Sequence, residues 1–162
     1  MEKMKQQMLA SGAAHELAVK QFTKLPQGVL YLRFENFSTR ESAHHSETPL
    51  GVSLEWAGRI WLLTLGPKGE RTRGGVFVAE VGPVPPIPPA ARYVMEVDEA
   101  NLGPESNAQI GRLGHVHPGP EIFYLLTGEQ CLETPSGIQR ARAGEGITAP
   151  ANTPMALNIW AR

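Results

Sequence analysis

Residues 114–128 read GHVHPGPEIFYLLTG, and both the fold and the chemistry turn on how this stretch is parsed. Along a β-strand successive side chains point to opposite faces, so His115 and His117 share one face and Val116 takes the other. Two imidazoles on one face, about 6–7 Å apart at Cα, are within reach of a single ion. Imidazole is a favoured ligand for Zn, Cu, Fe and Ni. The strand then stops. His117-Pro118-Gly119-Pro120 places proline second and glycine third, the order that suits a type II turn with positive φ at Gly119. Pro120 has no N–H, so such a turn stays open. Pro118 biases His117 toward extended backbone and keeps it on its strand. The chain reverses, and Glu121 begins a returning strand whose next residues, Ile122 to Leu126, are apolar enough to enter a core. From there Glu121 faces the histidine pair. Two imidazoles and one carboxylate leave coordination positions for water or substrate, as in non-haem iron oxygenases and some catalytic zinc sites. The plainer alternative is a pair of surface histidines beside a hairpin, since HxH alone is a weak signal. Phe123 and Leu125 share the face of Glu121 and are candidates to wall a pocket; Tyr124 lies on the opposite face and reads as packing.

Outward from this stretch, glycine (17) and proline (14) are spread along all 162 residues, with short runs of Val, Ile, Leu, Phe, Tyr and Trp between them. That is the punctuation of many short strands and turns, and it predicts an all-β sandwich or barrel. Strands are expected at 30–37, 52–56, 59–65, 75–81, 93–97, 121–127, 129–134, 138–142, 147–149 and 155–160. The segment 82–90, GPVPPIPPA, has five prolines in nine residues. Each lacks the ladder N–H, so this is an extended connector rather than a central strand. Residues 2–22 have a loose helical spacing through Met4, Met8 and Leu17, and Pro26 ends any continuation. A helical segment within 1–26 is therefore expected, with His15 on its surface, followed by one β-domain over 27–162. Residues 40–49 are polar and read as a loop, with His44 and His45 on the surface. Trp56, Trp61 and Trp160 read as core or interface anchors. Cys131 reads as a small buried hydrophobe, with proximity to an ion as the alternative.

Composition excludes several classes. The formal net charge is −1, and no basic cluster is interleaved with aromatics, so nucleic acid is not an expected partner. No apolar run approaches the length of a membrane span. The N-terminal apolar run, Met8-Leu9-Ala10, is too short for a signal peptide, so the chain reads as cytoplasmic. One cysteine cannot form an intramolecular disulfide. There is no GxGxxG, no P-loop and no supported Ser-His-Asp arrangement. SAHHSE (42–47) is a poor match for a second metal motif.

The stretch 109–128 resembles motif 1 of the cupin superfamily, G(X)5HXH(X)3,4E(X)6G. His115, His117, Glu121 and Gly128 fall in place, while Gln109 stands where the first glycine is due. Residues 144–158, GEGITAPANTPMALN, resemble motif 2, G(X)5PXG(X)2H(X)3N. Gly144 and Pro150 match. Asn152 replaces a glycine, and asparagine tolerates the left-handed backbone next best. Met155 stands where the fourth ligand, a histidine, is due, and Asn158 falls one residue early. The resemblance implies a double-stranded β-helix, a jelly-roll barrel, that is a homodimer and holds one divalent metal ion. His115, His117 and Glu121 would be the ligands. Fe, Zn, Mn and Ni are not distinguished; Cu is disfavoured. Met155 would line the pocket, since a thioether binds Zn²⁺ or Fe²⁺ poorly; it also suits a core gap. Two functions follow: a metal-dependent oxygenase acting on a small organic molecule (isomerase or lyase chemistry being close behind), or a non-catalytic module that binds a small ligand or metal.

Overall fold

A computed structural model describes residues 14–101, 103 and 116–160. Among the described residues, eleven strands and one short helix are joined by turns, so the chain is all-β. It divides into two compact units.

The N-terminal unit comprises His15–Pro83 and Pro89–Glu99. Its main sheet is built from β2 (Tyr31–Phe37), β3 (Gly51–Trp56), β4 (Arg59–Gly66) and β5 (Val76–Val81), in the order β3-β4-β2-β5. All three ladders are antiparallel. The central strands β2 and β4 are buried on both faces, which explains why RIWLLTL is a dense apolar run rather than an alternating one. On one face Phe34 stands opposite Leu63 and Leu32 opposite Leu65. Trp61 completes this face, edge-on to Phe34 and donating its indole N–H to the Trp56 carbonyl at 2.9 Å. The other face mixes charge with apolar packing: Arg33 lies opposite Thr64, and Glu35 opposite Leu62. The β3–β4 connection is Ala57-Gly58, both at positive φ (49° and 69°), as a two-residue type I′ hairpin requires.

Two expectations fail in this unit. Ala14–Phe22 is not helix but strand β1, paired with β6 (Tyr93–Ala100) in a two-stranded sheet; residues 2–13 of the expected helix lie outside the described residues. From Ala18 to Phe22 burial alternates residue by residue, the strand period. The loose Met and Leu spacing is a weak propensity signal, overridden by pairing with β6 and by the Phe22–Tyr93 ring stack at 5.5 Å. His15 is exposed, but on this strand. Second, the polar segment 40–49 contains a helix, α1 (Arg40–His45). Thr39 caps it, its hydroxyl accepting from the Ser42 N–H at 3.1 Å. Ala43 is buried against Phe37 and Leu62, so one small apolar residue docks an otherwise solvated helix. His44 and His45 are exposed, as expected.

The C-terminal unit holds β7 (Glu121–Tyr124), β8 (Glu129–Thr134), β9 (Gly137–Arg142), β10 (Gly146–Ala149) and β11 (Ala156–Trp160). They form the pair β10-β7 and the three-stranded sheet β11-β8-β9, again antiparallel. One core cluster fills this unit: Leu125, Leu132, Ala141, Ile147, Ala149 and Met155, with Phe123 packed against it. The segment 82–90 carries no helix or strand, as its prolines require. No helix among the described residues is long and apolar enough to cross a membrane.

Candidate metal centre

Glu121 is the first residue of β7 and pairs with Ala149, while Phe123 pairs with Ile147. Directly opposed residues of an antiparallel pair project to the same face. Glu121 therefore stands at the open end of a face that continues inward as Phe123, Ile147 and Ala149. Four residues upstream, across the proline-rich bend, lies His117. Its Nε2 is 3.4 Å from Glu121 Oε2. The side chains are 32% and 27% exposed, so the pair sits at a rim that solvent reaches, although Oε2 itself is enclosed.

The geometry can be tested against an ion. Zn–N and Zn–O bonds are about 2.0–2.2 Å. Two such bonds at octahedral to tetrahedral angles separate their donor atoms by about 2.8–3.6 Å. The observed 3.4 Å lies inside that window, and the donor set, one imidazole nitrogen and one carboxylate oxygen, suits a borderline divalent cation. The same distance also serves a plain imidazole–carboxylate contact. His115 lies outside the described residues.

The bend does not take the expected form. Gly119 has no left-handed φ, so the type II geometry is not adopted. Two features explain it. Pro120 supplies no N–H to close the turn, and a residue before proline is pushed toward extended backbone.

The second motif segment lies alongside the first. After Ala149 the chain turns at Pro150–Asn152, and the Asn152 N–H donates to the His117 carbonyl at 2.7 Å. Asn152 has φ 55°, the left-handed conformation its substitution for glycine predicts. Gly128, at the end of the β7–β8 connection, and Gly144, in the middle of the β9–β10 connection, also take positive φ (76° and 85°). Met155 is 2% exposed within the core cluster, as is Leu125 at 8%, and Phe123 packs on that cluster. Met155 also lines a cavity of about 310 Å³ together with Glu133, Thr134, Pro154 and Ala156. Cys131 is buried. It alternates with Leu132, which faces the core cluster, and so points to the other side of β8.

One acidic group escapes sequence reasoning. Glu16 of β1 and Glu96 and Asp98 of β6 bring carboxylate oxygens within 4.8 Å of one another, and all three are exposed. Alternation puts Glu96 and Asp98 on one face of β6; the approach of Glu16 is hidden as long as β1 is read as helix. A solvated strand pair commonly carries such groups. Compared with protein-family models, with curated proteins and with solved structures, the chain finds no match.

Proposed function

We propose that the C-terminal unit is a divalent-metal-binding module of cupin-like type, with His115, His117 and Glu121 as ligands. The observation that supports it is the 3.4 Å approach of His117 Nε2 to Glu121 Oε2 across the bend, at a solvent-reached rim. Two imidazoles and a carboxylate would hold Fe, Zn, Mn or Ni and leave positions for water or a small molecule. The jelly-roll barrel over 27–162 and its homodimer are part of the same proposal. Between the two functions the resemblance implies, packing favours the binding module. Among the described residues, the face running inward from Glu121 carries the apolar Phe123, Ile147 and Ala149, packed in one cluster with Met155. Oxygenase chemistry on a small organic molecule remains the second reading, carried by the open coordination positions alone.

Elemental analysis of the purified protein tests this. About one equivalent of a first-row divalent metal is expected. It should vanish in His117→Ala and His115→Ala and persist in Met155→Leu, a volume-conserving core change costing under about 1.5 kcal/mol. Affinity should weaken below about pH 6, because both imidazoles must be neutral to ligate. Metal content that survives His117→Ala but not Met155→Leu would overturn the ligand set.

A further inference from the structure

The segment that carries His117 is poor in backbone donors. Pro118 and Pro120 flank Gly119 on one side, and Pro150 follows Ala149 on the other. The ladder that pairs Gly146–Ala149 with Glu121–Tyr124 therefore cannot continue in regular form past Glu121. Glu121 is held by that ladder, but His117 lies beyond its end. Among the described residues, a backbone bond reaches across from the Asn152 N–H to the His117 carbonyl, 2.7 Å long. Its donor is aimed by the left-handed backbone of Asn152. Non-glycine residues rarely adopt this conformation, and β-branched ones least of all.

We infer that Asn152 is a positioning residue: its left-handed turn tethers the His117 backbone and so sets the imidazole against the Glu121 carboxylate. This rests on the proposed metal site, and it adds which residue outside the ligand set governs that site. The Asn152 side chain is exposed, so replacing it removes no core packing. What changes is the backbone conformation that residue 152 will hold. Glycine adopts the left-handed region freely and keeps the N–H, so Asn152→Gly should preserve the tether. Asn152→Val should refold the turn and withdraw the donor. Partners that orient a ligand from outside the coordination shell typically govern about 10–100-fold in metal affinity.

The test compares wild type, Asn152→Gly, Asn152→Val and Ile147→Val, the last a mild core change on β10 that controls for stability. In metal-free labelled protein, NMR reads the nuclear Overhauser contact between the His117 ring and the Glu121 side chain, together with hydrogen exchange of the residue 152 amide. Zn²⁺ affinity is read by competition with a chelator. Asn152→Val should lose the His117–Glu121 contact and amide protection and bind Zn²⁺ about 10–100-fold more weakly. Asn152→Gly and Ile147→Val should stay near wild type in both. An intact contact and unchanged affinity in Asn152→Val would overturn the inference, as would an equal loss in Ile147→Val. If wild type takes up no Zn²⁺, the metal reading falls, and the metal-free contact alone decides whether Asn152 positions His117.

Discussion

In the N-terminal unit the Glu35 side chain is fully enclosed, whereas in the C-terminal unit that of Glu121 is 27% exposed at the edge of its core, with Oε2 turned inward. Their partners differ to match. Glu35 Oε2 is 3.0 Å from the Arg33 guanidinium, itself 4% exposed, and Oε1 accepts from the Thr72 N–H at 2.9 Å. Arg33 donates onward to the Thr72 hydroxyl and faces Glu70 at 3.8 Å. Arginine is always charged, so this pair is permanently neutralised within the protein and pins the β4–β5 loop to the sheet. Glu121 is set instead against the imidazole of His117, a side chain that carries no permanent charge. Burial with a permanent counter-charge marks a structural acid; Glu121, at a rim beside an imidazole, is placed differently.

That contrast is broken most sharply by truncation. Glu35→Ala would leave the Arg33 charge buried with only the exposed Glu70, 3.8 Å away, to offset it, and a loss of about 3 kcal/mol in urea unfolding is expected. Replacing both, as Arg33→Met with Glu35→Leu, should cost far less, because no charge then remains in the interior. Glu121→Gln, at the rim, should cost under about 1 kcal/mol. Equal losses in Glu35→Ala and Glu121→Gln would erase the distinction between the two acids.

A second acid of the N-terminal unit is intermediate between these extremes. Glu47 follows α1 and is 14% exposed. Burial works to raise its pKa, but hydrogen bonds outweigh it: from the Ser53 hydroxyl and N–H, the Lys20 ammonium and the His44 ring. The result is a pKa lowered from 4.5 to about 2. It thereby ties β1, α1 and β3 together. A depressed carboxylate pKa gives stability that is fully present above pH 4.5 and lost as pH falls toward 2. Glu47→Gln should therefore cost about 3 kcal/mol at pH 7, with the gap to wild type closing between pH 4.5 and pH 2. A gap independent of pH over that interval would assign the loss to packing rather than to the charge.

The pattern of what could be read from sequence follows the same physics. Strands such as VSLEW and GVFVAEV, and the turns between them, are legible because alternation and glycine or proline punctuation are local. The approach of Glu121 to His117 is legible because proline and glycine force a reversal within four residues. What stays hidden is non-local. Strand β1 exists because β6 pairs with it, and nothing within Ala14–Phe22 announces that partner. Helix α1 rests on one cap and one buried alanine in a polar run. The burial of Arg33 and Glu35 runs against composition, since charged residues are seldom fully enclosed unless paired. The type II turn fails at Gly119 because the proline after it restricts the very residue the pattern needs to be left-handed.

The finest comparison is between the two non-glycine residues with left-handed backbone among the described residues, one in each unit. Asn152, in the C-terminal unit, has φ 55°, and Ala57, in the β3–β4 hairpin, has φ 49°. Asparagine tolerates this region, whereas alanine sets its Cβ against the following carbonyl at a cost of about 1–2 kcal/mol. Type I′ hairpins favour Asn-Gly for this reason, and the N-terminal unit has Ala57-Gly58 instead. The hairpin thus holds strain that the ladder from Trp56–Arg59 onward keeps in place. Ala57→Asn should relieve it and raise the stability of that unit by about 0.5–1 kcal/mol, a rise of roughly 2–4 °C in Tm. It should leave metal content unchanged, because the residue belongs to the other unit. Asn152→Ala should do the reverse, losing a similar amount of stability while weakening the tether on His117. If Ala57→Asn gave no stabilisation, the hairpin would be strain-free at φ 49°, and the left-handed conformation of Asn152 could no longer be credited to its side-chain type.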